Sequence, residues 1–207
     1  MQFTKKESKI LEDIIISRRD VRGNNFSNKK IKKRVIKQII KAGLNAPSVG
    51  FSQPWKFLII KNKKIKNKIF HIFSDEYNQS KKHFKDKPIY DKLKLEGIKE
   101  TPINIAVYYK KSDKKILGQT SQKKMGEYSV VCAIQNMWLM ARSLNVGIGW
   151  VSILDAKKVN KILDIPKDYK LVGYLCVGYT KEFLPLPELE ILRWEIKKKY
   201  KDSVKYI

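Results

Sequence analysis

Three of the chain's six arginines stand within five residues, Arg18-Arg19-Asp20-Val21-Arg22, with one carboxylate among them. The other basic residues are nearly all lysine, 39 of them. A guanidinium presents planar, paired donors that match phosphate oxygens, whereas a lysine ammonium is a point charge. A chain that spends half its scarce arginine on one pentapeptide points to an anion site. The competing reading is a group of surface salt bridges at the end of a helix, where cations are favoured.

Other chemistries find no support. His71 and His83 are the only histidines, and neither sits among metal-ligand types, so neither a zinc site nor a Ser-His-Asp triad is expected. Gly147-Ile148-Gly149-Trp150-Val151-Ser152 begins like a dinucleotide fingerprint. It has serine at the third glycine position and runs into a strand, so that reading fails. There is no P-loop lysine motif. A phosphate must be held by side-chain forks and loop amides. Cys132 and Cys176 are too few for a disulfide scaffold, and Cys132 is expected to pack inside a helix.

The formal charge is +25, carried by lysines spread along the chain. Specific nucleic-acid readers lean on arginine forks, and no helix-turn-helix, zinc-finger or RNP signature is present. The charge reads as a solvated lysine surface, with only weak, salt-sensitive attraction to polyanions. The N-terminus has no apolar signal region, and no apolar run approaches the roughly 20 residues of a membrane span. The expectation is a cytoplasmic chain with no membrane partner.

Lysine occupies about one position in five, so windows without it are informative. They are 10–28, 42–55, 125–156, 171–180 and 182–196. Lysine is excluded from buried or sterically specified places, so core and site belong in these windows.

The elements that must position them follow from periodicity. Thr4-Lys5-Lys6-Glu7 fits a capping box, leading a helix with Ile10, Leu11, Ile14 and Ile15 on one stripe. Ser27 or Asn28 is expected to cap a second helix, carrying Ile31 to Ile40 and ending at Gly43 and Asn45. Residues 46–55 form a loop with two prolines, followed by a strand at 56–61. Residues 65–73 read as a third helix. Residues 75–101 are charged and aperiodic, an exposed excursion with the character of a lid. Strands are expected at 104–109, 147–153 and 169–179. Helices are expected at 128–144, the most apolar and so central, and at 155–163. The tail from 181 reads as irregular. No repeat or linker divides residues 1–207, so a single α+β or α/β domain is expected.

Arg18-Arg19-Asp20-Val21-Arg22 and Ala46-Pro47-Ser48-Val49-Gly50-Phe51-Ser52-Gln53-Pro54-Trp55 resemble the flavin-binding elements of the nitroreductase-like flavoproteins. Leu93-Lys94-Leu95-Glu96-Gly97-Ile98, the stretch 128–139 and Gly147–Ile153 agree with the branch that makes 5,6-dimethylbenzimidazole, the lower ligand of cobalamin. Ordinary nitroreductases typically have serine where this chain has Asp20. The resemblance implies an α+β sandwich, a mostly antiparallel sheet flanked by helices, and a homodimer with flavin sites at its interface. It also implies that reduced FMN is consumed as a substrate, with O2 as co-substrate, no metal, and a separate NAD(P)H flavin reductase supplying FMNH2. Erythrose 4-phosphate would be released from the ribityl chain.

On the same resemblance, Arg18, Arg19 and Arg22 would grip the flavin phosphate and polar tail. Asp20 would lie over the flavin, hydrogen-bonding the ribityl chain or taking a proton from it as a base, where a turn aspartate capping local amides is the plainer alternative. Val21, Pro47, Ser48, Val49, Gly50, Gln53, Leu95 and Val151 would line the site. Ser152 would sit near the N5–O4 edge of the flavin. Asp20 and Ser152 would be the catalytic pair. Arg193-Trp194-Glu195 departs from the Gly-Trp-Arg usual in the family. Two other activities fit the same resemblance: an NAD(P)H-dependent nitro- or flavin reductase, and a cob(II)yrinic acid a,c-diamide reductase.

Overall fold

A computed structural model describes residues 1–207. Four strands form one sheet in the order β1-β2-β4-β3: β1 (Trp55–Ile60), β2 (Ile103–Lys110), β4 (Tyr169–Tyr179) and β3 (Val146–Val151). Every neighbouring pair is antiparallel. The β2–β4 register slips between Val107 and Tyr108, where Val107 faces Gly173 and Tyr108 faces Leu171. Val172 is the extra residue, and such a bulge sharpens the local twist.

Helices cover both faces. On one lie α2 (Lys33–Leu44) and α4 (Met125–Ser143); on the other lie α3 (Lys63–Ser80) and α5 (Ala156–Ile162). The alternation along β2 explains the two cores. Ile105 and Val107 point to the first layer, with Ile39, Ile134 and Met137. Ala106 and Tyr108 point to the second, with Ile69, Phe73 and Tyr174. A strand buried on both faces reads as a continuous apolar run, as Ile103–Tyr108 does apart from Asn104. Asn104 is accommodated because its amide donates to Ile98 O (3.1 Å) and Tyr174 Oη (2.8 Å) and its carbonyl accepts from Thr101 Oγ1 (2.7 Å).

The chain's first helix, α1 (Lys5–Ser17), has the expected capping box, yet buries no residue. Ile10, Leu11, Ile15 and Ile16 are all exposed. On α4, Tyr128, Val131 and Cys132 are exposed as well, so Cys132 is not the packed residue expected of it.

Several boundaries differ from expectation. The second helix starts at Lys33, not at Ser27 or Asn28. Ser27 is used elsewhere: its N–H and hydroxyl both donate to Tyr179 O, at 2.8 and 3.1 Å, while Phe26 bridges Thr180. That pairing holds the segment extended. Residues 75–80 complete α3 and are not part of the excursion. Residues 81–92 form two short 3-10 turns, but Leu93, Glu96, Gly97 and Ile98 are buried, not exposed. The strand expected at 147–153 ends at Val151, and the tail contains a short helix, α6 (Glu188–Ile191).

Candidate functional site

Asp20 lies at the C-terminal side of α1, where the chain turns extended and pairs with β3. Asp20 and Ile148 form a parallel bridge, and Val21 N–H donates to Ile148 O at 3.0 Å. Gly149 makes this approach possible. A Cβ there would lie 2.2 Å from Val21 O, a contact that no side chain tolerates. The Asp20 carboxylate is fixed from two sides. Its Oδ1 accepts the Trp150 N–H at 2.9 Å, and its Oδ2 pairs with Arg22 Nη2. About a third of the Asp20 side chain remains accessible, against 13% of Arg22. Burial pushes the Asp20 carboxyl above the ordinary carboxylate range, and Arg22 and the Trp150 amide offset this only in part.

The three arginines have diverged in role. Arg19 is spent inside the chain: its guanidinium donates to the carbonyls of Ile16, Arg18, Leu184 and Pro185. It therefore ties the tail to the end of α1. Arg22 donates to Leu95 O at 3.2 Å besides pairing with Asp20. The Arg18 guanidinium makes no hydrogen bond or ion pair; it lies 4.8 Å from the Trp138 ring centroid, leaving its donors free. Val21 and Val151 are buried in the second core, so they offer backbone and not side chain to a ligand. Ser152 directly follows β3 and is exposed, and Leu95 is half-buried beside Arg22.

The second group of candidates stands elsewhere. Pro47, Ser48, Val49, Gly50 and Gln53 form a loop with a 3-10 turn over 49–51. Val49 N–H donates to Ser129 Oγ (3.0 Å) near the start of α4, and Gln53 N–H to Ser48 Oγ (3.1 Å). Gly50, Phe51 and Gln53 all have left-handed φ, at 53°, 51° and 47°. For the two that are not glycine this costs roughly 1–2 kcal/mol each, the kind of strain that gathers at functional sites. Phe51 is nevertheless 82% exposed.

The two groups touch α4 at different points. The loop rests on Ser129, while Arg18 and Arg19 O rest on Trp138, whose Nε1 donates to Arg19 O at 3.1 Å. Nine residues of helix separate these contacts, roughly 13 Å along the axis. The fold thus gathers Arg18, Asp20, Arg22, Leu95 and the Trp150 backbone, with Ser152 two residues on, and leaves Pro47–Gln53 apart.

Trp138 and Arg142 were not singled out from sequence. Arg142 Nε donates to Ser17 O and Oγ, at 3.1 and 3.0 Å, and its guanidinium covers Phe183. Their signal was a tryptophan and a lone arginine within the central lysine-free window. Glu96, buried within the Leu93–Ile98 motif, was also passed over.

A four-stranded antiparallel sheet between two helical layers, with an arginine–aspartate segment docked on its edge strand, defines an α+β sandwich. Residues 15–179 match the nitroreductase family, and the chain belongs to that family. It is 36% identical to the 5,6-dimethylbenzimidazole synthase of Rhodospirillum rubrum, over 86% of this chain and 85% of that one. It also resembles the crystal structure of a BluB-like flavoprotein from Clostridium difficile 630, with TM-score 0.71 at 20% identity, covering 95% of this chain and 98% of that one. An iodotyrosine deiodinase solved with FMN and 3-iodo-L-tyrosine superposes with TM-score 0.72 at 23% identity, covering 92% and 98%. No helix here is long and apolar enough to cross a membrane.

Proposed function

We propose that this chain is a 5,6-dimethylbenzimidazole synthase: two copies enclose reduced FMN, and O2 consumes it, yielding 5,6-dimethylbenzimidazole and erythrose 4-phosphate. The observation that carries this reading is the Asp20 carboxylate, anchored by Arg22 and the Trp150 amide yet still partly open. The relative in Rhodospirillum rubrum supports it.

The residues present fit a flavin mononucleotide. Arg18 supplies a free fork for the phosphate, and Arg22 adds charge from the floor. Arg19 contributes its charge and holds the tail in place. Gly149 keeps the Asp20 segment flat on β3. Reduced FMN, once bound, supplies the electrons for O2 and the carbon skeleton of the product.

The chain's own work is positioning and proton movement. Asp20 takes a proton from a ribityl carbon, and a carboxyl pushed upward by burial is a better base for that task. Ser152, exposed at the end of β3, would offer its hydroxyl to the polar N5–O4 edge of a bound flavin. Leu95, whose carbonyl holds Arg22, and the buried turn behind it would close one side of the site to water.

The separated loop Pro47–Gln53 serves the partner's site. Its distance from Asp20, its strained and exposed Phe51, and the exposed apolar faces of α1 and α4 all support a homodimer with paired interface sites. A separate NAD(P)H flavin reductase would provide the FMNH2.

The test is to mix protein with anaerobically reduced FMN, admit air and analyse by mass spectrometry. 5,6-Dimethylbenzimidazole is the expected product. Recovery of intact FMN alone would overturn the proposal, and steady turnover of a nitroaromatic with NADH would favour an ordinary reductase.

A further inference from the structure

Glu96 is 2% exposed, a carboxylate with almost no contact with solvent. Its Oε2 accepts the Ile98 N–H at 2.6 Å, and its Oε1 pairs with Lys94 Nζ. Lys94 also pairs with Glu100 at 2.9 Å. The carboxylate closes the turn 96–98 upon itself.

The turn faces the Asp20 segment with two carbonyls in a row. Leu95 O accepts from Arg22 Nη1 at 3.2 Å, and Glu96 O accepts from Gly23 N–H at 2.8 Å. Gly23 lies directly on the charged cluster: a Cβ there would stand 2.7 Å from Lys94 Cε and 2.9 Å from Glu100 Cδ. Arg22 in turn holds Asp20.

We propose that Glu96 is a positioning residue: with Lys94 it locks the turn whose Leu95 and Glu96 carbonyls clamp Arg22 and Gly23, and so aims Arg22 at Asp20. The catalytic relevance of this clamp rests on the reading of Asp20 as the proton-accepting carboxylate; the clamp itself does not. The charges acting on Asp20 are Arg22, Arg18 and Glu188, with the Trp150 N–H as its other partner. Neither Glu96 nor Lys94 bonds Asp20 directly; the side-chain link from the turn to Asp20 runs through the Leu95 carbonyl and Arg22.

The test is a carboxyl 13C NMR titration of the flavin-free protein, with Asp20→Asn assigning the Asp20 resonance. Glu96→Gln keeps an acceptor for Ile98 N–H but loses the Lys94 pair. The double variant Lys94→Met/Glu96→Gln removes both charges, so that neither is left stranded if the single variant does not fold. With Arg22 loosened, the Asp20 midpoint is expected to rise by about half a pH unit or more. In an Arg22→Gln background the rise should vanish, since coupled residues are not additive. An unchanged Asp20 midpoint in a folded variant, with only thermal stability reduced, would overturn the proposal. The titration needs neither flavin nor turnover. A wild-type protein that makes no 5,6-dimethylbenzimidazole would therefore sink the functional reading and leave this one standing, and the reverse holds equally.

Discussion

The Asp20 carboxylate accepts the backbone N–H of Trp150 at 2.9 Å, so a side chain from the end of the first helix is held by the edge strand of the sheet. The position of Asp20 is thereby set by β3 and not by its own turn. An aspartate that only capped local amides would bond residues two or three ahead of it. This one reaches across 130 residues.

Replacing Asp20 with Asn, or Ser152 with Gly, should leave binding of reduced FMN within a few-fold and cut product formation by about a hundredfold or more. In the wild-type protein the rate should rise with pH as Asp20 ionises, along a limb displaced above the usual carboxylate value of about 4. Product quantified by mass spectrometry against pH checks both. Unchanged yield in both variants would refute the roles assigned.

Arg18 and Arg19 should part company. Arg18→Ala removes the free fork and should weaken FMN binding by roughly 10- to 100-fold, the worth of a charge-assisted bond, while riboflavin binding changes little. Arg19→Ala should lower thermal stability and loosen the tail, since its partners are carbonyls of Ile16, Arg18, Leu184 and Pro185. Fluorescence titration with both flavins, beside melting curves, separates the two effects.

Val131 is exposed on α4 beside Tyr128 and Cys132. In the proposed homodimer, Val131→Asp should raise the dissociation constant by about tenfold or more, because the charge would be buried twice in a two-fold interface. Flavin binding should fall with it. Sedimentation velocity across a concentration series gives the answer, and an unaltered oligomeric state would remove α4 from the interface.

Lys66 is 4% exposed, with its ammonium donating to Thr101 O. Burial lowers its proton affinity relative to the unfolded chain. The folded state therefore disfavours the charged form: the cost is fully present below the lowered folded value and disappears as pH rises to the unfolded value near 10.4. Lys66→Met should melt higher than wild type at pH 7, and the gap should close as pH approaches 10. Melting curves at intervals from pH 7 to 10 test this, and a gap that widens with pH would contradict it.

Much of this arrangement was legible in the sequence. Strand β4 matched its apolar run residue for residue, and the capping box of α1 was found where Thr4 and Glu7 placed it. The lysine-free windows contained the Asp20 segment, the central helix and both inner faces of β3 and β4. What could not be read were interactions set by distant backbone. Nothing local to Ser27 reveals that it will bond Tyr179 O and delay the start of α2. Likewise, Arg19 and Arg22 are indistinguishable as letters; their different duties depend on where the tail and the turn at Leu95 arrive. Glu96 was hidden for a related reason, since a glutamate in a charged stretch reads as solvent-facing until its partners converge.

The tail carries one further implication. Trp194 meets Phe84 edge-on with ring centroids 5.4 Å apart, Phe84 stacks on Tyr90 at 4.6 Å, and Tyr90 stacks on Tyr77 of α3 at 5.2 Å. Residues 81–92 and the tail at Trp194 are thus packed into one aromatic panel that leans on Tyr77. Swinging it outward must break at least one aromatic pair, at roughly 0.5–1.5 kcal/mol. Any outward movement of residues 81–92 would then carry the far end of the polypeptide with it, through a single indole.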